Sequence, residues 1–248
     1  MTRARVPDRA PVPLDHGADD TPNRKEGPSM RELFHADLKA LGDQLVEISG
    51  LVREAMDKAR TAFENADVEL AEAVITDDAR IDYLQTSIDE KAIELLALQG
   101  PVAADLRTVV AALRMSSSLE RMGDLARHIA QLARRRYPDL VLPESVREDF
   151  RQMADHCVAL AGEVEQLLTD HDTTHAQQIV KLNAAINELH AKNFKTVNAA
   201  DWNASGAMTA DVTLASRFFE RFADHGVSVA RKVTYLATGE WEPVIEID

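Results

Sequence analysis

The sequence predicts an all-α protein made of two tandem three-helix bundles. Three observations carry that prediction. Six long segments repeat apolar residues at alternating spacings of three and four, the mark of an amphipathic helix. Breakers are scarce, with ten Gly and nine Pro in 248 residues, and aromatics make up only 5%. That leaves too little turn and β-forming material for a sandwich or barrel. Finally, the last helix of each half carries the same charged motif, one hundred residues apart.

The first segment, residues 1–29, holds five of the nine prolines, five charges of each sign and almost no apolar periodicity. It cannot bury enough surface to offset its ordering entropy, so it reads as a disordered tail or as a start assigned too early. Leu38, Leu41, Leu45, Ile48, Val52, Ala55, Ala59 and Ala62 then form a narrow helical stripe. Asn65–Asp67 offers a turn and an N-cap. The second stripe, Ala71, Val74, Ile81, Ile88, Ala92 and Leu95, stops at Gly100-Pro101, a helix-ending pair. The third runs through Ala112, Met115, Leu119, Met122, Ala126, Ile129 and Ala133 and ends at Arg134-Arg135-Arg136-Tyr137-Pro138. Basic residues there complement the helix dipole.

A second trio follows, over 146 to about 168, 175 to about 200, and about 208 to 237. The last has the stripe Val212, Ala215, Phe219, Phe222, Gly226, Val229, Val233 and Leu236, with Gly239 as C-cap. Narrow stripes suit antiparallel bundles in which each helix seals the other two. The expected organisation is a tail over 1–29, a first bundle over 30–139, a second over 140–241 and a short tail over 242–248.

Composition narrows the function. One cysteine permits no internal disulfide, which points to a reducing, cytoplasmic setting. No stretch approaches the ~18 apolar residues of a membrane span, and the opening residues lack an apolar signal core. The formal net charge is -14, and after position 29 there are 37 acidic against 23 basic residues, which argues against binding a nucleic-acid backbone.

Ser116/Ser216, Glu120/Glu220, Arg121/Arg221, Asp124/Asp224 and Ala130/Ala230 are identical across the third and sixth helices, with the apolar register preserved. This supports duplication of one three-helix unit. The second and fifth helices match more loosely, at an offset of 105, with Asp78 and Asp82 replaced by Asn183 and Asn187.

The acidic residues sit in unusual places. Asp78 and Asp82 share one helix face, as do Glu120 and Asp124, and like charges at that spacing cost about 0.2–0.5 kcal/mol. Asp78 occupies a stripe position, and Glu120 and Asp124 lie beside theirs. If the second and third helices pack antiparallel, four carboxylates converge and need neutralising. Two neutralisers are open. One is arginine, with Arg121 and Arg127 on the same helix and Arg80 between the two aspartates. The other is a hard cation such as Mg²⁺, Mn²⁺, Ca²⁺ or Fe³⁺, which an all-oxygen site favours over zinc. In the second half, Glu220 and Asp224 face uncharged Asn183 and Asn187, so a second site is expected to be weaker. No Gly-rich phosphate loop, HExxH or CxxC is present. A carboxylate-bridged di-iron or di-manganese helical oxidase is the enzymatic alternative, but the paired Glu-x-x-His motifs it needs are missing. His128 and His225 lie near the acidic motifs as outer-ligand candidates. Cys157 reads as a small apolar core residue.

Over about residues 30–240 the chain resembles the PhoU family, the phosphate-transport system regulatory proteins. The resemblance rests on Leu119-Glu120-Arg121-Met122-Gly123-Asp124 and its echo Phe219-Glu220-Arg221-Phe222-Ala223-Asp224, on Pro101-Val102-Ala103-Ala104-Asp105-Leu106-Arg107, and on the duplicated layout. It implies two three-helix bundles side by side, often dimerised, with no catalytic activity. It also implies negative regulation of the phosphate-starvation response, linking the ATPase subunit of the phosphate-specific ABC transporter to a sensor histidine kinase at the inner membrane face. The family's acidic motif binds clusters of iron or other divalent ions. On this chain that implies metal at Asp78, Asp82, Glu120 and Asp124, and at Glu220 and Asp224. Service to a different phosphate carrier is the neighbouring alternative.

Overall fold

A computed structural model describes residues 30–239. The expected tails at 1–29 and 242–248 lie outside the described residues. Six helices make up the described chain: α1 (Met30–Asn65), α2 (Val68–Gln99), α3 (Ala103–Arg136), α4 (Glu144–Asp170), α5 (Thr173–Val197) and α6 (Gly206–Thr238). No described helix is long and apolar enough to cross a membrane.

The helix boundaries follow local chemistry. Asp67 caps α2, its carboxylate accepting from the Glu69 and Leu70 amides. Gly100 closes α2 in the left-handed region at φ 53°, a conformation that costs glycine little. α5 and α6 begin two residues earlier than their stripes imply, because Asp172 and Ser205 act as N-caps, accepting from Thr174 N and Met208 N. α4 gains its first residues directly after Pro143, whose missing N–H costs nothing at a helix start.

The helices pair into α1–α2–α3 and α4–α5–α6 bundles, joined by α3 lying along α6 and α1 along α4. α2 and α5 each touch only their own bundle and form the two flanks. The α3–α6 pairing is antiparallel, since His128 stacks beside Phe218 near the middle while Arg135 and Arg136 meet Asp211 at one end. α1 and α4 are antiparallel too, with Arg53 bound to Glu165 at 2.5 Å and Arg60 to Asp155 at 2.9 Å.

The expected stripes are the core. Leu41, Leu45, Ile48, Val52, Ala59 and Ala62 of α1 are buried, as are Val212, Ala215, Phe219, Phe222, Val229 and Val233 of α6. One contiguous core runs through both bundles. Phe63, Phe150 and Phe219 join α1, α4 and α6, with ring centroids 5.8–6.2 Å apart. Such pairs add to the area they bury. Gly226 lets α6 approach α4 closely: a Cβ there would collide with Leu160 Cδ2.

Candidate functional site

The acidic residues singled out in the first half meet across the antiparallel seam of α2 and α3. Gly123 makes the seam tight, because a Cβ at that position would stand 2.8 Å from Ile81 Cδ1 and 3.4 Å from Asp78 Oδ1. Asp78 is consequently 7% exposed, the deepest acid of the cluster. Arg127, one turn beyond Asp124 on α3, reaches back over the seam. Its Nε lies 2.5 Å from Asp78 Oδ2, and its Nη2 donates to Asp124 Oδ1. Arg121 Nη1 donates to the other Asp124 oxygen at 2.9 Å, and Arg121 Nε lies 3.6 Å from Glu120 Oε2. Asp82 is exposed, one turn along α2.

In the structure arginine pairs with these carboxylates, and Arg127 is the side chain that ties the two helices together. Arg80 does not serve that purpose: it turns away to α1, where its Nη2 donates to Glu47 at 2.8 Å. Among the described residues, no three His, Cys, Asp or Glu side chains are grouped so as to hold a metal ion as they stand.

Burial and mutual repulsion shape the acidities. Burial raises the Asp78 pKa, and the charges of Asp82 and Asp124 add to the rise against the pull of Arg127. Glu120 is raised by burial and then by neighbouring Asp124. At Asp124 burial also pushes upward, but the hydrogen bond and charge of Arg127, with Arg121 behind them, outweigh it and hold the carboxyl below its usual range. The site thus mixes one firmly ionised carboxylate with two that release their protons reluctantly, a common product of clustered anions.

The second bundle repeats the frame with different charges. Arg217 Nη1 donates to both Glu220 oxygens, at 2.5 and 2.6 Å, and Arg221 stands 3.6 Å from Asp224. Asp224 is raised by burial and by the Glu220 charge. Where the first bundle has Asp78 and Arg127, the second has Asn183 and Val227, so the acid and its arginine are lost together. Asn183 and Asn187 instead line a groove of about 870 Å³ with Asp224, Arg231, Lys232 and, from α3 of the first bundle, Arg114. These three cations did not stand out along the chain. The one signal was the repeat itself, in which Gln131-Leu132 becomes Arg231-Lys232.

The remaining candidates are structural in placement. The His128 ring packs on Phe218 with centroids 5.1 Å apart, and burial lowers its pKa, as it does for His225. Cys157 is fully buried and its thiol donates weakly to Phe219 O at 3.5 Å.

Comparison with known proteins agrees with the duplicated layout. Residues 45–133 and 150–233 each match the PhoU domain. The phosphate-specific transport system accessory protein PhoU homolog 2 of Mycobacterium tuberculosis is 43% identical over 210 residues, covering 85% of this chain and 99% of that one. PhoU homolog 1 of Mycobacterium leprae is 42% identical, covering 86% and 96%. The crystal structure of the phosphate transport system regulatory protein PhoU from Streptococcus pneumoniae superimposes with a TM-score of 0.74 at 27% identity, over 85% of this chain and 99% of that one. PhoU from Pseudomonas aeruginosa, 23% identical, shares the fold at a TM-score of 0.75, over 84% and 100%.

Proposed function

Because the chain belongs to the PhoU family, we propose that it is a non-enzymatic negative regulator of the phosphate-starvation response. It acts through protein contacts, joining the ATPase subunit of a phosphate-specific ABC transporter to a sensor histidine kinase. The observation that carries this reading is the match of both bundles to the PhoU domain, in a chain whose relatives are accessory proteins of phosphate transport. The protein works in the cytoplasm as a homodimer and reaches the inner membrane face through its partners.

A two-bundle body suits that role, since its long helices present extended surfaces to partners. Leu98, Val102 and Leu106 are exposed apolar residues around the α2–α3 turn, at 71%, 74% and 40%. Apolar side chains clustered on a rigid tip are what a docking partner covers. One of the two partners, the transporter ATPase or the kinase, docks on this tip. Purified protein should capture the ATPase subunit and the kinase's cytoplasmic domains, and Val102→Asp should weaken capture of one of the two. Failure to bind either partner, at both high and low phosphate, overturns the proposal.

The same reading includes metal. The donor set is carboxylate oxygen throughout, which suits a hard cation such as iron, manganese or magnesium. Asp78, Asp82, Glu120 and Asp124 would hold it in the first bundle, and Glu220 and Asp224 in the second. The cation would supply the positive charge that Arg127, Arg121 and Arg217 supply to these carboxylates. Elemental analysis tests this: metal content should fall in a Glu120→Ala/Asp124→Ala variant while helicity persists. Unchanged metal content refutes it.

A further inference from the structure

The groove at the junction of α3, α5 and α6 has a charge balance unlike the rest of this acidic chain. Arg114 enters it from the first bundle, Arg231 and Lys232 from the second, and the only acid on its wall is Asp224. Lys232 Nζ donates to the Ser228 carbonyl and hydroxyl at 2.9 and 2.6 Å. Among the described residues none of the three cations forms a salt bridge, although carboxylates outnumber cations along the chain. Burial, and then the charges of Arg114 and Arg231, depress the Lys232 pKa. The cations therefore repel one another, with Asp224 as the one acid on the groove wall to set against three of them.

The repeat shows how the charges diverged. Beyond the shared Glu120/Glu220, Arg121/Arg221 and Asp124/Asp224 pairs, the first bundle adds Asp78, Asp82 and Arg127, whereas the second adds Arg231 and Lys232. The sign of the site is reversed. Asn183 Oδ1 is buried there without a hydrogen-bond partner. The NH₂ of that amide is the end that can donate to an anion.

We propose that this groove binds a dianionic phosphoryl group, held by Arg114, Arg231 and Lys232 with Asn183 and the serine hydroxyls as further donors. Two guanidiniums match phosphate oxygens in geometry as well as charge. A volume of about 870 Å³ far exceeds one phosphate ion, and Leu113 and Val227 give the groove an apolar wall. A phosphate monoester of nucleotide size fits that combination, with its phosphoryl end at the cations. Because Arg114 belongs to α3 and the other cations to α6, the ligand also bridges the two bundles. The inference does not rest on the docking role: partner capture and ligand binding are separate measurements, and either can fail alone.

Titration calorimetry on the full chain, with inorganic phosphate, adenosine monophosphate and adenosine as probes, tests the proposal. Binding of the monophosphate but not of adenosine, weakening as salt rises, is the expected result. Phosphate binding as tightly as the monophosphate would identify the free ion as sufficient, and much weaker phosphate binding would identify the ester; both support the site. Arg114→Ala and Arg231→Ala, each at an exposed position, should weaken binding at least tenfold with unchanged circular dichroism. No binding of either phosphate compound at millimolar concentration, or binding that both variants leave intact, overturns the proposal.

Discussion

Replacing Arg127 by Val, the residue that stands at the matching place in the second bundle, removes the bridge between α2 and α3. Asp78, 7% exposed, loses the cation 2.5 Å away, and Asp124 loses one of its two arginine partners. Stripping one partner from a buried ion pair costs about 3–5 kcal/mol when the remaining charge is stranded. The Arg127 side chain is 28% exposed and Asp124 keeps Arg121, so a cost of about 2–3 kcal/mol is expected here. For a helical body of this size that lowers Tm by about 4–12 °C. The loss should depend on pH. Burial already holds the Asp78 pKa above its ordinary 3.8, and losing Arg127 raises it further. The native variant then binds more protons than the unfolded chain, so its stability falls as pH rises through the range above 3.8. The second bundle suggests the remedy, since Asn183 accompanies Val227. Asp78→Asn/Arg127→Val should recover most of the loss at pH 7. Urea unfolding of wild type, both single variants and the double variant, at about pH 5 and pH 7.5, completes the cycle. An additive cycle, or an Arg127→Val variant as stable as wild type at the higher pH, would refute the bridging role of Arg127.

Other perturbations test the packing. Asp211 is 3% exposed and bound by Arg135 and Arg136 across the bundle junction, so Asp211→Asn should cost about 1–3 kcal/mol in urea unfolding; a neutral effect would mean the junction does not depend on that pair. Gly226→Ala forces a Cβ into buried Leu160 Cδ2 and should destabilise by about 1 kcal/mol despite alanine's better helix propensity. Gly42→Ala meets nothing within 4 Å and should instead stabilise by about 0.5–1 kcal/mol, and both shifts are read from the same thermal melts. Cys157 is fully buried and burial pushes its thiol pKa up, so alkylation under native conditions should proceed only at the rate of global opening. Rapid stoichiometric labelling would contradict that burial.

Helices were legible along the chain because their information is local. Apolar residues three and four apart, a capping Asp67 or Ser205 and a stop at Gly100 all act within one or two turns, and they mark α1 to α6 to within a few residues. The duplication was legible for the same reason, as a register shared by α3 and α6. The convergence of Asp78, Glu120 and Asp124 followed from antiparallel packing, which short connections favour. What neutralises them did not follow. Arg80 is two residues from Asp78 yet reaches to Glu47, while Arg127, far along the chain, closes on Asp78. On a helix, residues two apart point about 200° apart around the axis, so proximity along the chain does not select an ion-pair partner. The tertiary structure decided that, and it decided which arginines at the end of α3 grip Asp211 rather than only complementing a dipole. It alone also assembled Arg114, Arg231 and Lys232 around Asn183, because their meeting depends on how α3 lies against α6, a choice made by packing between bundles and not by any single helix.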